Sequence, residues 1–282
     1  MNRMWVKSLF ISLYLTVAFV ALAGAAVQVW LSGSLAYAGL GLTALPVCIF
    51  MGWLFVGGVS RTSANLPAVV VPTVLAGALT GYLGLAESQP LAVVVSALLV
   101  VGALLYVFWY SRFSERQQSP LQLGQVLPEF NLRYTDGSEF KSSDGVGKPG
   151  LFIFYRGNWC PLCMAQIKEV AAQYQELEKR GVQTYLISSQ SDKNSADLAA
   201  RFEVKFNFMV DVDNQAAKTL KIDAVGGTPA GLQGLGYDSD TAMPTVVMTN
   251  AEGKVIFLDL TDNYRVRPEP QTFLAALDAA AA

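Results

Sequence analysis

Cys160 and Cys163 are the residues in this chain whose type and spacing most directly predict chemistry. They lie in the run Trp159-Cys160-Pro161-Leu162-Cys163, which follows an apolar stretch and opens an amphipathic one. Two thiols at this spacing at the start of a helix lie about one turn apart, so a disulfide can form with little backbone movement. Free N–H groups and the helix dipole favour the thiolate of the first cysteine. The sequence therefore predicts a redox-active pair in which Cys160 attacks and Cys163 resolves.

Such a pair can react with two kinds of oxidant. A thiolate that attacks a disulfide gives a mixed disulfide, and a thiolate that attacks a peroxide gives a sulfenic acid. The second cysteine can resolve either product, so the motif alone leaves the substrate open.

A zinc half-site and a pair of inert buried cysteines are the alternative interpretations. Structural zinc needs four ligands, whereas the chain has no histidine and its third cysteine, Cys48, lies far away in an apolar segment. The lack of histidine also excludes a histidine base and haem ligation by histidine. No G-x-x-x-x-G-K phosphate loop occurs either. We therefore expect neither a metal nor another cofactor.

The composition divides the chain into two unlike parts. Of its 282 residues 52% are hydrophobic and 15% are charged, which is too apolar for an ordinary soluble protein. Much of this excess lies in four N-terminal segments, each close to the roughly 20 residues that a helix needs to cross a bilayer. They are Val6 to Trp30, Leu35 to Val59, Leu66 to Leu85 and Leu91 to Tyr110. We expect a four-helix transmembrane domain over residues 1–111, a linker over 112–125 and a redox domain over 126–282.

Charged residues predict how the transmembrane domain is oriented. The basic residues in this domain and at the start of the linker all fall on one side of a four-helix bundle: Arg3, Lys7, Arg61, Arg112 and Arg116. The opposite loops carry only Glu87. The positive-inside rule then places both termini in the cytoplasm of a bacterial-type inner or plasma membrane. The first segment also resembles a secretory signal, but its length and the three spans after it favour an uncleaved anchor.

The part after Pro120 has an ordinary globular composition and an alternation of predicted strands and helices. It carries 15 basic and 20 acidic residues, so no basic stripe indicates a nucleic-acid partner. The pattern predicts a hairpin around Asp136-Gly137 and a long glycine-rich loop over Ala224 to Asp240, near the active site. The predicted strands are Leu151 to Tyr155, Val182 to Ser188, Phe206 to Val210, Thr245 to Thr249 and Val255 to Leu260. The predicted helices are Pro161 to Arg180, Ala196 to Phe202, Asn214 to Leu220 and Glu269 to Ala280.

This soluble part resembles the thioredoxin fold. The motif Trp159-Cys160-Pro161-Leu162-Cys163 is similar to the W-C-x-x-C of that fold. Met243-Pro244-Thr245, which enters a strand, resembles its cis-proline, which packs against the reactive cysteine. The resemblance implies an α/β thioredoxin-like domain after the α-helical membrane bundle, with Trp159 and Pro244 beside the two cysteines. It also implies a cis bond between Met243 and Pro244.

A closer resemblance, over roughly residues 121–282, is to the peroxiredoxin-like branch, the alkyl hydroperoxide reductase and thiol-specific antioxidant type. It is carried by Leu127 to Phe130, Phe154 to Pro161, Ile187 to Gln190 and Tyr264 to Pro270. Typical members have a proline seven residues and a threonine or serine three residues before the peroxidatic cysteine. Counted from Cys160, those positions hold Ile153 and Gly157. The resemblance also implies an arginine that polarises the peroxide, with Arg156 and Arg265 as candidates.

The sequence thus predicts a membrane-anchored thiol oxidoreductase of peroxiredoxin-like type. It would reduce peroxides through a sulfenic acid and an intramolecular disulfide, and take electrons from a thiol such as thioredoxin or glutathione. A thioredoxin-like protein disulfide reductase and a non-enzymatic redox sensor are alternatives. An electron relay across the membrane is a further alternative, for which Cys48 is the only cysteine in the apolar segments.

Overall fold

The computed structural model of the chain describes residues 4–114 and 116–281, with the side chains of 4–114 and 116–280. Arg3, whose charge supports the predicted orientation, lies outside the described residues. The chain divides into two units: Leu9–Arg112, and Phe113–Ala282 together with Met1–Ser8.

The long apolar runs of the N-terminal part form helices, because a helix satisfies every backbone polar group within its own segment. These helices are α1 (Met4–Ser32), α2 (Leu35–Val56), α3 (Pro67–Ala86) and α4 (Pro90–Leu105). A π-helical turn, Tyr106–Tyr110, continues α4. With that turn included, all four are long and apolar enough to cross a membrane. The four predicted segments are confirmed as helices, although α2 ends at Val56 rather than Val59.

Small and hydroxyl-bearing residues bring α2, α3 and α4 close together. A Cβ atom on Gly77 would meet the side chain of Val100 in α4, so glycine permits this close approach. The hydroxyl of Thr43 in α2 lies 3.1 Å from that of Thr80 in α3 and 3.3 Å from that of Ser96 in α4. These hydrogen bonds fix the three helices against one another where no water is available.

One acidic side chain ties the two connections at one end of this unit together. Glu87, which follows α3, accepts hydrogen bonds from the Ser34 hydroxyl at 2.6 Å and from the N–H groups of Leu35 and Ala36 at 3.1 and 3.2 Å. A carboxylate is favoured at a helix N-terminus, where N–H groups lack partners. The α1–α2 and α3–α4 connections therefore lie at the same end of the unit.

The C-terminal unit is built on a mixed seven-stranded sheet in the order β2-β1-β5-β4-β3-β8-β9. The strands are β1 (Asn131–Tyr134), β2 (Glu139–Lys141), β3 (Gly150–Phe154), β4 (Gln183–Ser188), β5 (Asn207–Val210), β6 (Asp223–Ala224), β7 (Thr241–Ala242), β8 (Thr245–Thr249) and β9 (Val255–Asp259). Strands β3, β4 and β5 are parallel, and β8 is antiparallel to β3. Strands β6 and β7 form a separate pair.

Helices flank this sheet: α5 (Pro161–Ala172), α6 (Tyr174–Lys179), α7 (Asp192–Ala199), α8 (Gln215–Thr219) and α9 (Pro270–Ala281). The central strand β3 is buried along its whole length, as its unbroken apolar sequence predicts. Its neighbours contribute Tyr185, Ile187 and Val247 to the same hydrophobic core.

Two helix predictions need correction. The single helix predicted over Pro161 to Arg180 is divided at Gln173 into α5 and α6. The helix predicted from Ala196 begins at Asp192, because the Ser191 hydroxyl accepts a hydrogen bond from the N–H of Asn194 and caps it.

Candidate redox site

The cysteine pair lies where the buried strand β3 passes into α5. Phe154 at the end of β3 pairs with Ile187 on one side and with Thr245 on the other, which fixes the direction of the chain as it leaves the sheet. Cys160 is the N-cap of α5, and Pro161 occupies the first helical turn, where its missing N–H costs no hydrogen bond. The predicted arrangement of strand, cysteine pair and helix is confirmed.

Glycine is required three residues before Cys160. The φ angle of Gly157 is +139°, which residues with a side chain rarely adopt. A Cβ atom there would lie 2.7 Å from Nε1 of Trp159. The backbone at this point therefore cannot carry the threonine or serine that the resemblance suggested, and its space is filled by the Trp159 indole.

Both thiols are buried, and an arginine reaches one of them. Cys160 is 2% exposed and Cys163 is 0% exposed, and each is a free thiol. Nη2 of Arg267 donates a hydrogen bond to the sulfur of Cys163 at 3.3 Å. The neighbouring thiol of Cys160 and the backbone N–H of Arg156 also favour the charged form of this sulfur.

These groups give the two thiols different pKa values. Burial alone would raise the pKa of the Cys163 thiol. The hydrogen bond from Cys160, the charge of Arg267 and the N–H of Arg156 outweigh burial and lower this pKa to about 5. Burial and the negative charge on Cys163 raise the pKa of Cys160 well above its usual value. The surroundings therefore favour the thiolate at Cys163 and the protonated thiol at Cys160.

Arg267 is held rigidly in the position that makes this possible. Its Nη1 donates to Oε1 of Gln166 at 2.7 Å and its Nε donates to the carbonyl oxygen of Tyr264 at 3.0 Å. Arg267 and Gln166 are both buried. Sequence reasoning missed both residues and named Arg265, which is buried and donates its backbone N–H to Asn263. One feature of the sequence could have pointed to this part of the site. Gln166 is a polar residue three positions after Cys163, on a helix whose other inward-facing residues are apolar.

Arg156 contributes its backbone to the sulfur and its side chain to the wall of the site. Its guanidinium carbon lies 4.7 Å from the ring centroid of Trp159 and 5.3 Å from that of Tyr264. Its Nη2 donates to the carbonyl oxygen of Gly227 at 2.6 Å. The structure thus brings together Cys160, Cys163, Arg156 and Trp159.

The glycine-rich segment covers the chain just before the cysteines, which confirms its predicted position near the site. The Tyr237 hydroxyl donates to Oδ1 of Asn158 at 2.7 Å. At the end of the segment, the Thr241 hydroxyl donates to the carbonyl oxygen of Arg156 at 2.8 Å. These bonds attach the segment between β6 and β7 to residues 156 and 158.

Pro244 lies at the same end of the sheet, directly before β8, but its conformation differs from the expected one. The described peptide bonds, including that between Met243 and Pro244, are all trans, so the predicted cis bond is wrong. Trans is the favoured isomer even before proline. The Met243 N–H donates to the carbonyl oxygen of Ile222 at 2.7 Å. Nη2 of Arg116 donates to the Pro244 carbonyl oxygen at 2.8 Å.

Within residues 4–114 and 116–281, no group of three or more His, Cys, Asp or Glu side chains is placed to hold a metal ion.

The fold and the buried dithiol define the C-terminal unit as a thiol-dependent oxidoreductase with a thioredoxin-like architecture. Residues 123–258 match the sequence profile of the AhpC/TSA family.

Curated relatives of the domain include members of two groups of thiol enzymes. The thiol-disulfide oxidoreductase ResA of Bacillus subtilis (strain 168) is 26% identical over 160 residues, which cover 56% of this chain and 78% of ResA. The candidate peroxiredoxin bcp of Helicobacter pylori (strain ATCC 700392 / 26695) is 27% identical over 101 residues, 36% of this chain and 66% of bcp. Among solved structures, peroxidoxin BcpB from Mycobacterium tuberculosis superposes with a TM-score of 0.47 at 16% identity, covering 56% of this chain and 97% of BcpB.

Proposed function

We propose that this chain is a membrane-anchored, peroxiredoxin-like oxidoreductase that reduces a hydroperoxide with the Cys160/Cys163 pair. The reaction passes through a sulfenic acid and an intramolecular disulfide, and a thiol such as thioredoxin or glutathione restores the dithiol. The observation that carries the proposal is the buried sulfur of Cys163, 3.3 Å from Nη2 of Arg267. A small peroxide can reach such a sulfur more easily than a disulfide on the surface of another protein can.

Reduction of a disulfide substrate is the second candidate. It is favoured by the similarity to ResA proteins, which are thiol-disulfide oxidoreductases by name. The same dithiol can perform it if the covering segment moves, because thiol–disulfide exchange needs direct access to one sulfur.

The full-length chain in detergent tests the two candidates side by side. The reduced protein is mixed with hydrogen peroxide, with an organic hydroperoxide or with a disulfide-bonded protein, and the loss of thiols is followed over time. We expect peroxide to oxidise the pair much faster than it oxidises a free thiol, and to turn over when dithiothreitol is supplied. A rate no faster than that of a free thiol rejects the peroxidase proposal. A single stoichiometric oxidation without turnover favours a redox sensor.

The control for this experiment is Cys48→Ala. Cys48 is buried in α2, and a lone cysteine in an apolar segment is most simply a small hydrophobic residue. We expect the turnover of this variant to equal that of the unaltered chain. A redox defect would revive the electron relay across the membrane.

A further inference from the structure

We propose that the first turn of helix α1 forms part of the redox site, with Ser8 as the residue that positions the glycine-rich segment between β6 and β7. This role rests on the proposed function, because the site that Ser8 supports is the one assigned to peroxide reduction. The turn and the segment are joined although Ser8 and Thr228 are 220 positions apart in the sequence.

Ser8 makes two hydrogen bonds to the beginning of this segment. The Ser8 hydroxyl donates to the carbonyl oxygen of Thr228 at 2.6 Å, and the Ser8 carbonyl oxygen accepts from the N–H of Ala230 at 3.3 Å. Ser8 is 9% exposed and Thr228 is 2% exposed. A buried carbonyl that loses its donor bears the full cost of desolvation, so the Ser8 hydroxyl fixes the segment more firmly than an exposed hydrogen bond would.

The same turn meets the segment at a second point, where two stretches of backbone approach each other closely. A Cβ atom on Gly226 would lie 3.3 Å from the backbone nitrogen of Trp5 and 3.4 Å from its Cα. The φ angle of Gly226 is +70°, which favours glycine. Glycine at this position therefore permits both the bend of the segment and its contact with the turn. Met1–Ser8 and Phe113–Ala282 accordingly belong to one compact unit.

The segment connects this turn to Arg156. Gly227 lies between the residues that contact the turn, and its carbonyl oxygen accepts a hydrogen bond from Nη2 of Arg156 at 2.6 Å. At the end of the segment, the Thr241 hydroxyl donates to the carbonyl oxygen of Arg156 at 2.8 Å. Lys7 is buried in the same turn, and its positive charge interacts with that of Arg156. Ser8 thus acts on the site through the segment and Arg156.

A pair of matched serine variants of the full-length chain in detergent tests this role. Ser8→Ala removes the hydroxyl that bonds to Thr228. Ser32→Ala makes the same chemical change on the same helix, where the exposed Ser32 hydroxyl donates to the carbonyl oxygen of Gln28 at 2.7 Å. Ser8→Thr retains a hydroxyl and serves as the conservative variant. All three are made in a chain that carries Cys48→Ala, and alkylation of the two buried thiols by N-ethylmaleimide is followed by mass spectrometry.

We expect the thiols of Ser8→Ala to be alkylated about tenfold faster than those of the parent chain, because loss of a buried hydrogen bond favours local opening of the segment. Ser32→Ala should react at the parent rate, and Ser8→Thr should restore most of the protection. The acceleration should persist unchanged in low concentrations of urea, because local opening exposes little surface whereas global unfolding exposes much. The dependence on urea therefore separates positioning of the segment from a general loss of stability.

Equal alkylation rates for Ser8→Ala and Ser32→Ala overturn the proposal, and so does a Ser8→Thr variant that reacts as fast as Ser8→Ala. An acceleration that grows steeply with urea also overturns it, because the opening is then global unfolding. Failure of the proposed function is a different result, in which the parent chain reacts with hydrogen peroxide no faster than a free thiol, whatever the alkylation rates of the serine variants.

Discussion

At the level of single residues, the reactivity of the pair depends on how one charge and one proton are shared between two buried sulfurs. The surroundings favour the charged form of Cys163 and the neutral form of Cys160. Two sulfurs this close cannot both ionise readily, because each thiolate raises the pKa of the other. The asymmetry at rest is therefore set by Arg267 and by the backbone N–H of Arg156, which both act on Cys163.

The first prediction concerns the guanidinium that touches the sulfur. Arg267→Gln removes a charge-assisted hydrogen bond of about 1.5–3 kcal/mol, which corresponds to about a ten- to hundredfold slower oxidation at neutral pH. The loss of the positive charge should also raise the pKa of Cys163. Both effects are measured by rapid mixing with peroxide over a pH series.

A matched control for this variant is Arg133→Gln. Arg133 forms a half-exposed ion pair with Asp192 at 2.7 Å, away from the cysteines, and such surface pairs contribute about 0–1 kcal/mol to stability. Its oxidation rate should equal that of the unaltered chain. Equal rates for Arg267→Gln and Arg133→Gln would contradict a role of Arg267 at the sulfur.

The second prediction is a pH profile. The folded state lowers the pKa of Cys163 to about 5, despite burial, through Cys160, Arg267 and Arg156. A thiol with a depressed pKa stays ionised down to that pKa, so the oxidation rate should be flat between about pH 6 and 8 and fall below about pH 5. The ionised Cys163 thiol also stabilises the folded state. This contribution is complete above the pKa that the thiol has in the unfolded chain, and it is lost as the pH falls through the lower pKa of the folded state. A rate that rises tenfold per pH unit above pH 6 would show that the reacting thiol does not have a lowered pKa.

The motif made the cysteine pair predictable, but it could not reveal the surroundings of each sulfur. Whether Arg265 or Arg267 faces the site depends on the turn after β9, where the Val266 N–H donates to the carbonyl oxygen of Asn263. No local sequence pattern fixes that turn. Counting from Cys160, the sequence lacks a hydroxyl three residues earlier, since Gly157 stands there. Counting from Cys163, the residue three earlier is Cys160, which lowers the pKa of the Cys163 thiol.

At the level of elements, the site depends on a rigid junction and on a segment that covers it. Strand β3 and helix α5 were predictable, because an unbroken apolar run and a helical spacing are strong signals. The break at Gln173 was not predictable, since no proline or glycine marks it. The start of α7 is signalled by Ser191-Asp192, a typical N-cap sequence. The prediction of a later start used only the spacing of apolar residues.

The third prediction concerns the covering segment. Tyr237→Phe removes the hydrogen bond to Oδ1 of Asn158, which is 2.7 Å long and worth about 1 kcal/mol. Local opening of the segment should become about fivefold more frequent. Alkylation of the buried thiols by a small maleimide, measured by mass spectrometry, should accelerate by the same factor.

Tyr174→Phe is the comparison for this variant. The Tyr174 hydroxyl donates to Oε1 of Glu178 on the exposed face of α6 at 2.9 Å, so the same chemical change is made far from the covering segment. Its alkylation rate should match that of the unaltered chain. If both variants react alike, the segment between β6 and β7 does not control access to the cysteines.

At the level of the whole molecule, the charge pattern of the N-terminal unit makes its orientation testable. Basic residues before the first helix, in the α2–α3 connection and after the fourth helix predict a cytoplasmic side, and the α1–α2 and α3–α4 connections share Glu87 at the other end. This arrangement was predictable because hydropathy and loop charge are properties of long segments. The contacts through Glu87 were not, since they depend on how the helices meet.

The fourth prediction places these connections on opposite sides of the membrane. Ser88→Cys, in the exposed α3–α4 connection, and Asn65→Cys, in the exposed α2–α3 connection, are each made in a chain whose three native cysteines are replaced. Intact bacterial cells are treated with a membrane-impermeant maleimide, and labelling is compared before and after lysis. We expect the cysteine at position 88 to be labelled in intact cells and the cysteine at position 65 only after lysis, because Arg61 precedes it and retains that side in the cytoplasm. The redox domain follows four helices, so it should share the side of position 65. Labelling of position 65 from outside would place the domain in an oxidising compartment, where the Cys160/Cys163 pair would be held as a disulfide and would need a different reductant.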